Sequence, residues 1–176
     1  ERPDFTHVVR DIDDPEANRY LVEQVGMRTW HEPFEPWNFY WGPGEQDVEG
    51  SLVYRYDFPR PSRRIYLKAH ISVWDDRKER GVIGRGAGAI EYSTDGRAWH
   101  PIDNGLEPRE YGRRVDQNGL LPEGASGSTS LWLRFRLLAA ERWANGSYCV
   151  AQFLRSYDGD THTAFELAVE CEPVED

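Results

Sequence analysis

The sequence predicts an all-β protein: an antiparallel jelly-roll β-sandwich with two long loops and at most one short N-terminal helix. Three observations predict it. Apolar and polar residues alternate with a period of two along several segments, as half-buried strands require. Turn signals rich in Pro, Gly and Asp punctuate those segments, and no stretch between them repeats with the 3.6-residue period of a helix. The 176 residues are enough for a single domain, residues 1–176, to bury a core of its own. Because the chain starts at Glu1 rather than Met, it is expected to be a piece of a larger protein or a processed form.

In chain order, Asp14-Pro15-Glu16 supplies an acidic cap and a proline at the first helical position, with Ala17, Tyr20 and Leu21 at helical spacing. This is a turn or two of helix. Trp30 to Gly50 is too irregular for one strand and is expected to be the first long loop. Leu52, Tyr54, Tyr56 and Phe58 share one strand face, and Ile65, Leu67, Ala69, Ile71 and Val73 share another. The intervening Pro59-Arg60-Pro61-Ser62 turn suggests that the two strands form a hairpin-like pair.

Ala87 to Ser93 and Arg97 to Ile102 flank Thr94-Asp95-Gly96, a strong hairpin signal because glycine accepts positive φ without steric cost. Asn104 to Thr129 is the second expected loop. The clearest strand is Ser130 to Leu138, with Leu131, Leu133, Phe135 and Leu137 on one face and Trp132, Arg134 and Arg136 on the other. Tyr148 to Arg155 and His162 to Glu170, the latter with Phe165, Leu167 and Val169 on one face, surround an Asp158-Gly159-Asp160 turn and suggest a C-terminal meander. Roughly seven to nine strands result.

Charge and composition exclude several classes of partner. The formal net charge of −10 and pI near 5.0 disfavour nucleic acid and anionic membrane surfaces. No apolar run approaches the length of a spanning helix. Aromatic residues are 13% of the chain and include 7 Trp, so much of the apolar surface lies in flat rings suited to stacking.

Two surfaces are candidate binding sites. The Trp30 to Glu45 segment combines Trp30, Trp37, Tyr40 and Trp41 with His31 and Asn38. Aromatic faces stack on the C–H faces of sugars while polar side chains take the hydroxyls; the competing reading is that the rings plug one end of the sandwich. The outward strand faces form the second candidate. Tyr66, Lys68 and His70, then Trp132, Arg134 and Arg136, then Glu166 and Glu170 would meet on one concave floor, or simply pair across strands. Trp74, beside the charged run Asp75 to Arg80, is a further platform candidate or part of a solvated loop.

Catalytic and metal motifs are sparse. The five histidines lack zinc spacing and the cysteines form no C-x-x-C. Calcium has oxygen donors at Asp158 and Asp160, or at Asp11, Asp13 and Asp14, although neither group completes an EF-hand. Gly84 to Ala89 matches G-x-G-x-x-[GA] but opens a strand rather than a helix, and Gly124 to Ser128 lacks the second glycine of a nucleophile elbow. Cys149 and Cys171 share inward parity on the last two strands, so they are either disulfide-bonded or buried free thiols.

The series Gly50 to Pro59, Ile65 to Ala69, Ile90 to Trp99 with its Ser93-Thr94-Asp95-Gly96-Arg97-Ala98-Trp99 hairpin, and Gly127 to Phe135 resembles the galactose-binding-like jelly rolls of discoidin type, including carbohydrate-binding modules appended to bacterial glycosidases. The resemblance covers about residues 50–170 and implies a core position for Trp99, a ligand site on end loops or the concave sheet, and in many members a structural calcium. The expected function is a non-catalytic carbohydrate-binding module, extracellular or periplasmic, and not an enzyme. The alternative is an interaction domain packing on a neighbouring catalytic domain of the same polypeptide, with Trp30, Trp37 and Trp41 buried against it.

Overall fold

A computed structural model describes residues 3–9, 12, 14–32, 35–73, 84–102, 112, 115–140, 151–154 and 167–174, with backbone alone at 31, 32, 35–39 and 152. The described residues form twelve strands and two short 3-10 helices. The strands are β1 (Phe5–Val9), β2 (Leu21–Val25), β3 (Met27–Glu32), β4 (Glu35–Pro43), β5 (Gly50–Asp57) and β6 (Ser62–Val73). They continue with β7 (Gly86–Ser93), β8 (His100–Pro101), β9 (Val115–Leu120), β10 (Ser130–Ala139), β11 (Ala151–Phe153) and β12 (Leu167–Pro173). Every pairing is antiparallel, in a seven-stranded sheet ordered β1-β12-β6-β11-β4-β3 with β9 also on β6, and a five-stranded sheet ordered β2-β5-β10-β7-β8.

The sheets pack as a sandwich on the alternating residues that the sequence singles out. Leu131, Leu133, Phe135 and Leu137 of β10 and Leu52, Tyr54 and Tyr56 of β5 face Ile65, Leu67, Ala69 and Ile71 of β6 and Leu167 and Val169 of β12, all buried. Phe135 stacks on Phe153 across the layers with ring centroids 4.1 Å apart. Gly88 permits this close approach: a β-carbon there would lie 2.7 Å from Ile71 Cγ2. Period-two alternation thus turns directly into a two-layer core.

The N-terminal helix is a single 3-10 turn, Pro15–Asn18, capped where Asp14 accepts a hydrogen bond from the Glu16 N–H at 2.9 Å. It docks through Ala17, whose carbonyl accepts from the Tyr54 hydroxyl at 2.8 Å. Beside it, buried His7 lies 3.1 Å from the Tyr56 hydroxyl and 3.0 Å from the Glu16 carbonyl. Burial holds the Tyr56 phenol well above its ordinary pKa. It therefore donates to Nδ1, and Nε2–H of a neutral imidazole donates to the carbonyl.

Several sequence expectations are corrected. β5 and β6 are not a hairpin: they belong to different sheets, and Pro59 and Pro61, which have no N–H to give a ladder, carry the chain from one layer to the other. The crossing is pinned where Phe58 N–H donates to Thr129 O and Ser62 N–H to Ser128 O. β11 and β12 are not partners either. Both pair with β6, at Ile71–Val73 and at Ser62–Lys68 respectively.

Trp30 to Gly50 is not one irregular loop, because β3 and β4 pair from Met27↔Pro43 to His31↔Phe39. Two short strands separated by a proline-bearing connection look irregular only when read as one. In the second expected loop, β9 pairs with β6 from Tyr66↔Leu120 to Ile71↔Val115, and Glu123–Ala125 forms a 3-10 turn. Twelve described strands exceed the seven to nine expected, because β1 and β2 lie where no strand is read from the sequence and β3, β4 and β9 lie wholly or partly in the segments expected to be loops.

Candidate functional site

The outer face of the five-stranded sheet concentrates exposed chemistry along β10. Trp132 lies between Arg55 of β5 and Ser93 of β7, and Arg134 lies between Val53 and Glu91. Arg136 lies between Ser51 and Ala89. Along one face of a strand side chains recur about every 7 Å.

The β7–β8 turn completes this surface. Asp95 accepts from the Arg97 and Ala98 N–H groups at 2.8 Å each and from the Ser93 hydroxyl at 2.9 Å. The two backbone N–H groups, foremost that of Ala98, and the Ser93 hydroxyl hold its carboxyl down at about 2. Gly96 adopts φ +71° and packs bare against the indole of Trp132, where a β-carbon would come within 3.1 Å of Cε2. The turn then returns Trp99 to the sheet, half-buried, with the Arg134 guanidinium 4.2 Å from its ring centroid. Trp99 therefore sits on the outer surface rather than in the core that the family resemblance implies.

Charges on this face are organised into a ladder. Arg134 Nε donates to Glu91 at 2.6 Å, and Arg136 grips Glu49 through Nε and Nη2 at 2.7 and 3.0 Å while Nη1 reaches Glu91 at 3.4 Å. Burial alone would lower the pKa of Arg136, but its bonds to Glu49 and Glu91 and their charges raise it. Arg55 forks onto Asp57 at 3.1 and 3.2 Å, its guanidinium carbon 5.0 Å from the Trp132 centroid. The expected cross-strand Arg–Glu pairing is present, with Glu91 and Glu49 as the acids. Planar cations, indoles and carboxylates side by side suit a ligand with both an apolar face and polar edges.

The single concave floor is not formed. Tyr66, Lys68 and His70 project from β6 on the outside of the other sheet, so the sandwich core separates them from Trp132. Tyr66 bonds to Asn118 of β9. His70 is buried, 2.5 Å from Asp116 through Nδ1 and 2.8 Å from Ser72 Oγ through Nε2. The order of atoms matches an Asp-His-Ser relay, but the burial is reversed: Asp116 is the accessible end and Ser72 the buried one. A nucleophile must face its substrate. The arrangement instead ties β9 to β6.

Three rings of the aromatic hairpin are packed rather than open. Tyr40 is fully buried, and Trp30 and Trp41 are 5% and 7% exposed. Trp41 belongs to the core between the sheets. Trp30 stacks on Tyr40, donates to the Pro43 carbonyl at 3.2 Å and is covered by Arg28, whose guanidinium carbon lies 3.6 Å from its centroid. Ring faces committed to packing are closed to a sugar. His31, Trp37 and Asn38 lie on β3 and β4, with only their backbone described.

Trp74, Cys149, Glu166, Asp158 and Asp160 lie outside the described residues. Cys171 is a buried free thiol that faces Phe5 and Ile65 on neighbouring strands. Burial raises its pKa to about 11. Neither Glu91 nor Glu49 stands out in the sequence, and the family resemblance puts Trp99 in the core. Glu91 was detectable by parity, since it is the polar residue opposite buried Ile90 and Tyr92; Glu49 comes from a loop and carried no period.

Among the described residues, no helix is long and apolar enough to cross a membrane, and no group of three or more His, Cys, Asp or Glu side chains is arranged to hold a metal ion. No protein-family model matches the chain, and no curated protein matches it in sequence. Among solved structures it is similar to the K1 cleaved adhesin domain of Lys-gingipain from Porphyromonas gingivalis W83, with 13% identity over 97% of this chain and 91% of that one. The TM-score is 0.35, a superposition that does not establish a shared topology.

Proposed function

We propose that this β-sandwich is a non-catalytic carbohydrate-recognition module, with its ligand lying along β10 on the outer face of the five-stranded sheet. The observation that carries this reading is the pair Trp99 and Trp132. Both are half-buried on the outside of a sheet whose core is already filled by Leu131, Leu133, Phe135 and Leu137. Trp132 supplies the stacking surface, Arg134 and the Glu91 and Asp57 carboxylates supply partners for hydroxyls, and the Asp95 turn fixes their spacing. Affinity electrophoresis through gels containing soluble polysaccharides tests it. Retardation by at least one polymer, weakened in Trp132→Ala, is expected; migration unaffected by every polymer overturns it.

A second reading, an interaction domain packing on a neighbour in the same polypeptide, is favoured by Val22 and Val25 on edge strand β2 and nearby Val48, which are exposed by 57%, 54% and 46%. Calcium at Asp158 and Asp160 and an extracellular or periplasmic location belong to the same proposal. A melting temperature unchanged between EDTA and millimolar calcium removes the metal, because a ligand bound only to the native state must raise stability.

A further inference from the structure

We infer that the carbohydrate bound on this face is acidic, and that Arg134 binds its carboxylate; the inference rests on the carbohydrate reading above. Arg55, Arg134 and Arg136 stand together on the outer face of β5 and β10, and two of them are committed. Arg136 uses Nε and both Nη nitrogens on Glu49 and Glu91, and Arg55 uses Nε and Nη2 on Asp57. Arg134 differs. Its Nε is held by Glu91 at 2.6 Å and its plane by Trp99 at 4.2 Å, while Nη1 and Nη2 make no hydrogen bond among the described residues.

The consequence is a guanidinium already fixed in orientation with its terminal donors unspent. Stacking and the Nε bond remove the rotamer freedom that an arginine ordinarily loses on binding, and the parallel Nη N–H bonds match a carboxylate's two oxygens. Trp132 is two residues away on the same strand face, about 7 Å along it. That spacing lets one sugar acid place its carboxylate on Arg134 while its own ring or the adjoining residue stacks on the indole. Hydroxyls alone would not need a cation held in this way.

General charge attraction offers no substitute. The chain carries a net charge of −10, so its overall field repels a polyanion, and binding must come from the local geometry.

The test compares native gels containing polygalacturonate, the same polymer with its carboxyl groups reduced, a neutral glucan, or polyaspartate as an acidic polymer without sugar. We expect the unmodified full chain to bind polygalacturonate about tenfold more tightly than the reduced polymer, since losing a bidentate charged contact is worth at least that much. Arg134→Lys keeps the charge but loses the fork, and should reduce polygalacturonate affinity by a similar factor with an unchanged melting temperature. Glu91→Gln, which loosens the hold on the Arg134 guanidinium, should weaken polygalacturonate binding by a larger factor than it weakens binding to the reduced polymer.

Equal affinity for the native and reduced polymers overturns the inference and leaves the carbohydrate reading standing. So does retention by the neutral glucan alone. Equal binding to polyaspartate also overturns it, because charge without a sugar then suffices. No retention by any polysaccharide overturns the carbohydrate reading and the inference together.

Discussion

Two regions of this molecule are rich in tryptophan and differ in what surrounds the rings. In the β3–β4 hairpin, Trp30 is closed in by Tyr40, Gly42 and Arg28, and Trp41 lies in the inter-sheet core. On the outer face of β10, Trp132 and Trp99 lie against a glycine turn and guanidinium groups and keep part of their surface in water. The hairpin has the denser aromatic sequence, yet among the described side chains of the two regions the partly open rings are Trp132 and Trp99. Density of aromatics measures how much apolar surface a segment has to bury; accessibility depends on what the rest of the chain lays over it.

The largest effect that would sharpen this contrast is on stability. Trp41→Ala removes a large ring from the core and should cost about 3 to 5 kcal/mol, read from urea unfolding. Trp132→Ala should leave most of that stability intact. A Trp132→Ala variant as unstable as Trp41→Ala would erase the distinction between the two regions.

The contrast should reverse in binding. Trp132→Ala should weaken affinity for a retarding polysaccharide by about 1 to 3 kcal/mol, measured by affinity electrophoresis over a range of polymer concentrations. Trp30→Ala, if it remains folded, should bind as the parent does. Loss of binding in Trp30→Ala alone would move the site to the hairpin.

A smaller change bears on how the open face is built. Gly96→Ala places a methyl 3.1 Å from the Trp132 indole at a backbone φ of +71°, so both the turn and the ring must shift. A loss of about 1 kcal/mol is expected from the left-handed backbone alone, with a changed tryptophan emission spectrum reporting the displaced ring. An unchanged spectrum would mean that Gly96 does not set the position of Trp132.

The buried aromatic surroundings of His7 should also differ from the open face in their response to pH. Burial lowers the His7 pKa, against the opposing pull of the Glu16 carbonyl and the Glu16 charge. The unfolded chain therefore takes up a proton near pH 6.5 that the folded chain still refuses. The neutral imidazole's contribution to stability is present above that value, and is lost as pH falls from about 6.5 towards the lower folded pKa. Urea midpoints at pH 7.5 and pH 5 should differ in that direction, and His7→Gln should reduce the difference. If the His7→Gln protein shows the same pH dependence, another group is responsible.

The class of the fold and the parity of its longest strands follow from the order of amino acids alone. Leu131, Leu133, Phe135 and Leu137 point inward and Trp132, Arg134 and Arg136 outward because a strand places successive side chains on opposite faces. The Ser93 to Trp99 hairpin was equally legible, since Asp95 and Gly96 satisfy its turn locally. Which strands meet is set by long-range packing. The turn at Pro59 to Ser62 gives the same local signal whether it joins neighbours in one sheet or crosses between layers, and β11 and β12 are divided by their separate pairings with β6. Long-range packing also sets which rings remain open. The partners that close Trp30 or hold Arg134 lie on other strands and turns, and alternation within one strand carries no information about its neighbours.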